Sequence, residues 1–127
     1  RHQKNPDYFG GRLTLQDKTI EMVSRSKLVL THGSAACSFA VLFKKPLLLF
    51  VTEQFPIEDQ DMIERQSLAN WLGTKLINID KSVDLDYEGL FEINYKAYKS
   101  YRQHFIKKDS SEELNSWQIV ANRIKKI

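Results

Sequence analysis

Two short apolar runs, and what stands between them, constrain this chain of 127 residues more than anything else in it. Lys27-Leu28-Val29-Leu30-Thr31-His32 is closed by Gly33, and Leu47-Leu48-Leu49-Phe50-Val51 opens directly after Lys44-Lys45-Pro46. Each run is too short for a helix and rich enough in apolar side chains for a buried strand. Between them, Ser34 is placed to cap a helix over 34–43 whose residues Ala35, Ala36, Cys37, Phe39, Ala40, Val41, Leu42 and Phe43 are apolar all round, the pattern of a helix buried on most sides. Pro46 stops it, because a prolyl ring cannot continue a helix. Two continuous apolar strands joined by a buried crossover imply a parallel sheet covered on both faces, with a right-handed connection.

The flanking segments extend this unit. Thr14-Leu15-Gln16-Asp17 has the form of a capping box and predicts a helix over about 15–26, with Ile20 and Val23 on one face. After an acidic loop through Pro56, a helix is expected over about 59–72, with Met62, Ile63, Leu68, Trp71 and Leu72 as its apolar side and Gly73 as its stop. Lys75-Leu76-Ile77-Asn78-Ile79 is a third strand, followed by a polar connection over 80–86. Phe91, Tyr95, Tyr98, Tyr101 and Phe105 recur at helical spacing. Trp117, Val120, Ile124 and Ile127 repeat the pattern after the Asp109-Ser110-Ser111 break, so both helices should pack back on the sheet. The expectation is a single Rossmann-like α/β domain over 1–127. Its parallel strands lie at 28–32, 47–51 and 75–79, with helices on both faces and a helical C-terminal extension from about 87; the strand order is left open.

Several classes drop out. One cysteine, Cys37, leaves no internal disulfide framework, and with three scattered histidines there is no structural zinc spacing, so neither a metal nor a cofactor is assigned and a reducing compartment fits best. No stretch reaches about 18 uninterrupted apolar residues and no signal peptide opens the chain. The first residue, Arg1, is not methionine, and 1–7 reads like the interior of a longer polypeptide, which gives the expectation of a C-terminal fragment whose N-terminal domain is missing. Charge is segregated: residues 1–49 carry eight Lys/Arg against three Asp/Glu, 50–93 three against ten, and 94–127 eight against three. Without a continuous basic face or a recognisable base-reading element, this is not a nucleic-acid profile. The pattern is either the alternation of solvated faces or a pair of basic ends serving an anionic ligand or an anionic membrane surface.

The first strand ends in Thr31-His32-Gly33-Ser34-Ala35-Ala36. In an open parallel sheet the ligand crevice lies beyond the carboxyl ends of the strands, where this turn falls. Small residues in the first helical turn would let phosphates approach the amides of Ser34, Ala35 and Ala36, with the Ser34 hydroxyl donating to an oxygen. The competing reading is structural: Gly33 for a tight turn, Ser34 as a cap, alanines for close packing. Neither a GxGxxG nor a Walker pattern is present, so no nicotinamide or ATPase site is indicated.

The string over 26–47, from Ser26 through Thr31-His32-Gly33-Ser34 to Lys44-Lys45-Pro46-Leu47, resembles the nucleotide-binding C-terminal domain of GT-B glycosyltransferases. It is most similar to the capsule and surface-polysaccharide transferases and the CDP-glycerol glycerophosphotransferases; sugar-nucleotide 2-epimerases share the arrangement more distantly. The resemblance implies a bacterial protein, in the cytoplasm or at the inner face of the membrane, that binds a nucleotide-linked sugar or polyol. The turn residues His32, Gly33, Ser34 and Ala35 would hold the donor's diphosphate, and the acceptor would come from an N-terminal domain. Members usually carry an Asp or Glu in the helix after the turn; here Ser38 and Phe39 stand there. Glu53, just beyond the second strand, is then either a ribose ligand or an exposed loop acid. Arg1-His2-Gln3-Lys4 resembles the family's His-Pro element only loosely, with Gln3 in the proline's place.

A leaving diphosphate needs cations or helix dipoles around it. Arg12, after Gly10-Gly11, is the candidate cation, against the reading of a solvated loop arginine. Lys44 and Lys45 sit at the far end of their helix from the turn. His32 is open to three roles: phosphate hydrogen bond, acid/base, or a satisfied strand-end histidine. Cys37 is read as packing, and no catalytic residue is assigned. The stripe over 91–105, with Lys96, Lys99, Arg102, Lys107 and Lys108 around it, is read as core, with an anionic membrane as its rival partner. Against the transferase stand a non-catalytic α/β interaction module and half of an epimerase.

Overall fold

The computed structural model describes residues 9–53, 59–81 and 86–125. The elements run α1 (Thr19–Arg25), β1 (Val29–Thr31), α2 (Ala36–Leu42), β2 (Leu47–Val51), α3 (Asp59–Leu72), β3 (Leu76–Asn78), a 3-10 turn (Gly89–Phe91), α4 (Tyr95–Tyr101), a π-helical continuation (Arg102–Ile106) and α5 (Ser116–Ile124). The three strands form one parallel sheet in the order β1-β2-β3, with Val29 opposite Leu47, Leu49 opposite Thr31 and Leu76, and Val51 opposite Asn78. This is the α/β architecture expected from the apolar runs, with helices flanking a parallel sheet.

Register decides where the core lies. Residues paired across a parallel sheet point to the same face, so Val29, Thr31, Leu47, Leu49, Val51 and Leu76 share one side. The strand members of the buried cluster, Val29, Leu47 and Leu49, with Leu76 packed against them, all come from that side. They meet Cys37, Ala40 and Val41 of α2, Ala69 and Leu72 of α3, Val23 of α1, and Tyr98 and Tyr101 of α4. The opposite face carries Leu30, which is exposed, half-buried Leu48 and Phe50, and buried Ile77.

Four expectations are corrected. The capping box at Thr14 does not form: Asp17 adopts a left-handed φ of 57°, which no helix can pass through, and α1 starts at Thr19 after an uncapped Lys18 that pairs with Glu21. In α2 only Cys37, Ala40 and Val41 are buried, so the helix is covered on one side, while Leu42 in its last turn and Phe43 at its C-cap are exposed. In α3 the inward side is Leu68, Ala69 and Leu72, one turn of helix that joins the buried cluster, whereas Met62, Ile63 and Trp71 are exposed. Finally, α5 does not bury its apolar side: Trp117, Val120 and Ile124 face outward.

The aromatic stripe divides by helical turn. Tyr98 and Tyr101 are buried, Phe91, Tyr95 and Phe105 exposed. Trp71, Tyr101 and Phe105 stack with ring centroids 4.9–5.0 Å apart, fastening α4 to α3. The Tyr98 hydroxyl donates to the Lys45 carbonyl at 2.8 Å, tying α4 to the loop before β2. Burial, reinforced by Cys37 alongside, pushes the Tyr98 phenol up to about 12 from an ordinary 10.0. A group with a raised folded-state value holds its proton more tightly in the native chain, so its contribution is full below about pH 10 and is lost as pH rises towards 12. Tyr98→Phe is therefore expected to lose about 1 kcal/mol at neutral pH and to show a shallower fall in stability above pH 10, read by urea unfolding across that range. Parallel slopes for the two proteins would contradict the assignment.

Candidate functional site

The turn after β1 is held by its own hydroxyls. Thr31, buried at the carboxyl end of the strand, accepts from the Gly33 amide at 3.3 Å and lies 3.2 Å from the Ser34 hydroxyl. The Ser34 hydroxyl in turn accepts from the Ala36 amide at 3.2 Å, and the Ser34 carbonyl from the Cys37 amide at 3.0 Å. Gly33 has φ +105°, a conformation L side chains rarely adopt, which is why glycine stands there. Of the three amides expected to face an anion, that of Ala36 is thus taken up by Ser34, while those of Ser34 and Ala35 make no hydrogen bond among the described residues. The Ser34 hydroxyl is part of the turn's own bracing.

A residue from α3 completes this corner. The Arg65 guanidinium donates to the His32 carbonyl, reaching across from a helix 33 positions along the chain. His32, Gly33, Asp61, Glu64, Arg65 and Leu68 line a cleft of about 310 Å³. The His32 ring meets Phe50 edge-on, with centroids 6.2 Å apart, on the sheet face opposite the core. The cleft therefore brings Asp61, Glu64 and Arg65 of α3 to His32 and Gly33 of the turn; Ser34 and Ala35, whose amides make no hydrogen bond among the described residues, follow in the chain and do not line it.

The other predicted residues lie elsewhere. Arg12 does not line the cleft; its guanidinium donates to the Phe9 carbonyl at 3.3 Å, within its own turn. Glu53 is engaged at the ends of β2 and β3, accepting from Asn78 Nδ2 at 3.0 Å and pairing with Lys81 at 3.5 Å. Beside it, Asp80 accepts from the Thr52 hydroxyl at 2.7 Å and from the Glu53 amide, and these bonds, Thr52's first, hold its carboxyl below the usual range. These residues brace two strand ends and leave Glu53 turned to Asn78 and Lys81. His2 lies outside the described residues. Cys37 is buried against the core, and desolvation pushes its thiol up, consistent with packing.

Sequence reasoning missed Arg65, Asp61 and Glu64, although a signal was present. Asp61, Glu64, Arg65 and Leu68 follow at helical spacing on the stripe that begins the inward side of α3, and Arg65 is the only cation between Pro46 and Lys75.

A larger cavity of about 550 Å³ opens at the amino ends of β2 and β3, among Leu47, Leu72, Gly73, Asn94 and Tyr98. Several of its polar groups are engaged within the fold: Thr74 donates to the Leu47 carbonyl at 2.7 Å, Tyr98 to Lys45, and Asn94 caps α4 by accepting from Ala97. Among the described residues no buried side-chain nitrogen or oxygen lacks a partner, no group of three or more metal-ligating side chains occurs, and no helix is long and apolar enough to cross a membrane. No family model, curated protein or solved structure matches the chain.

Proposed function

We propose that the chain is the donor-binding half of a GT-B-like transferase of bacterial surface-polysaccharide synthesis, taking a nucleotide-linked sugar or polyol at the β1–α2 turn. The observation that supports this reading is the cleft at the carboxyl end of β1, where Asp61, Glu64 and Arg65 of α3 meet His32 and Gly33; the next two residues, Ser34 and Ala35, have amides that make no hydrogen bond among the described residues. Amides and a guanidinium suit phosphate oxygens. Asp61 and Glu64 repel phosphate and accept from hydroxyls, so they orient the ligand: diphosphate towards Ser34 and Ala35, ribose or sugar hydroxyls towards α3. In this reading Arg65 takes the role expected of Arg12, and Asp61 or Glu64 the role expected of Glu53. The acceptor and any general base come from another domain, and the chain alone binds without turnover.

A second reading is favoured by the bracing of Ser34 between Thr31 and Ala36: the turn is purely structural and the chain is an α/β interaction module. NMR titration with UDP-, CDP-, GDP- and CMP-linked sugars separates the two. The first reading expects the Ser34 and Ala35 amides to move and Arg65→Ala to weaken binding by about ten- to a hundredfold, as for a lost charge-assisted hydrogen bond of about 1.5–3 kcal/mol. Amides that stay unmoved by every donor would leave only the interaction module.

A further inference from the structure

Helix α5 is specified by its own ends but stands poorly covered. Asn115 caps it with a reciprocal box, accepting from the Gln118 amide at 2.9 Å while Gln118 accepts from the Asn115 amide at 3.0 Å. Half-buried Ile119 faces a shallow pocket shared with Ile106, Lys107, Lys108 and Leu114, and that is how the helix rests on the body. Trp117, Val120 and Ile124, at spacings of three and four, form the outward stripe and are 83%, 47% and 65% exposed. A tryptophan this exposed at the head of an apolar stripe marks a surface made to be covered.

The charges around the stripe say by what. Arg123 lies on α5, Lys125 is its C-cap, and Lys107 and Lys108 line the pocket beside Ile119; the acids in this region are Glu112 and Glu113, while Asp109 is engaged by Arg102 at 3.1 Å. An amphipathic helix with tryptophan on its apolar side and cations on its flanks matches the boundary of an anionic bilayer, where indole sits at headgroup level and Lys and Arg meet lipid phosphates. We propose that α5 docks this chain on an anionic membrane surface, Trp117, Val120 and Ile124 entering the headgroup boundary and the four cations facing the phosphates. The proposal rests on α5 alone and is independent of the nucleotide reading.

Flotation of the full chain with vesicles of phosphatidylcholine, or of phosphatidylcholine mixed with phosphatidylglycerol, tests it. Partitioning is expected to be at least about tenfold stronger on the anionic vesicles, to weaken with salt, and to fall about tenfold or more in both Trp117→Glu and Ile124→Glu. In a Trp71→Phe background, Trp117 emission should shift to the blue on binding. Absence of partitioning on anionic vesicles, or partitioning unchanged in both variants, overturns the proposal. Self-association in solution that Trp117→Glu abolishes, without vesicle binding, overturns it too and makes the stripe a contact between copies.

Discussion

Leu49→Ala is expected to lower the unfolding free energy by about 2–5 kcal/mol, a large part of the roughly 5–15 kcal/mol that holds a domain of this size together. Leu49 is fully buried at the middle of the central strand, opposite Thr31 on one side and Leu76 on the other. Truncation removes the transfer free energy of the lost methyl groups and leaves a cavity that two strands and α2 cannot close without breaking register. Urea unfolding should show a lower midpoint at an unchanged slope. A loss below about 1 kcal/mol would mean that the face defined by Val29, Leu47 and Leu49 is not the core.

Gly73→Ala is expected to cost a similar amount, about 2–5 kcal/mol, from two separate causes. Gly73 closes α3 with φ +63°, its amide bonding back to Asn70, and a Cβ in that conformation carries a strain of about 1–2 kcal/mol. That Cβ would also stand 2.7 Å from Asn94 Nδ2 and 2.8 Å from Ala97 Cβ. Overpacking there adds about 1–3 kcal/mol, and it displaces the side chain that caps α4. Gly11→Ala is the control, since Gly11 has φ +71° with nothing near its would-be Cβ. It isolates the strain. Thermal melts that lower both variants equally would show that α3 and α4 do not meet tightly at Gly73.

The fold was legible where one physical signal acted alone. The run 47–51 matched β2 and the 59–72 pattern matched α3, since an unbroken apolar run fits only a buried strand and Gly73 supplied a stop that sterics enforce. Reading failed where a local motif competed with tertiary demand. Thr14 could cap only if Asp17 stayed helical, and Asp17 is in the left-handed region. The site was half legible: the turn was found because Gly33 and Ser34 are local, but Arg65 reaches it through space. A helix face's polar residues look alike in sequence until the neighbouring element is known. Arg12 and Glu53 stand out in the sequence by their nearness along the chain to a glycine pair and a strand end. Their observed partners, Phe9 for one and Asn78 with Lys81 for the other, are local to those segments or across one strand pair.

The strand order also bears on how the chain reaches this state. Because β1, β2 and β3 lie side by side in the order they occur, each strand joins the free edge of the one before it, and none has to be inserted between two already paired. Every addition closes a single loop, through α2 and then through α3, and the entropy of that closure grows only with the logarithm of loop length. The chain can therefore assemble by edge accretion, with the helix that covers each new strand pair supplied by the same connection that delivers the strand.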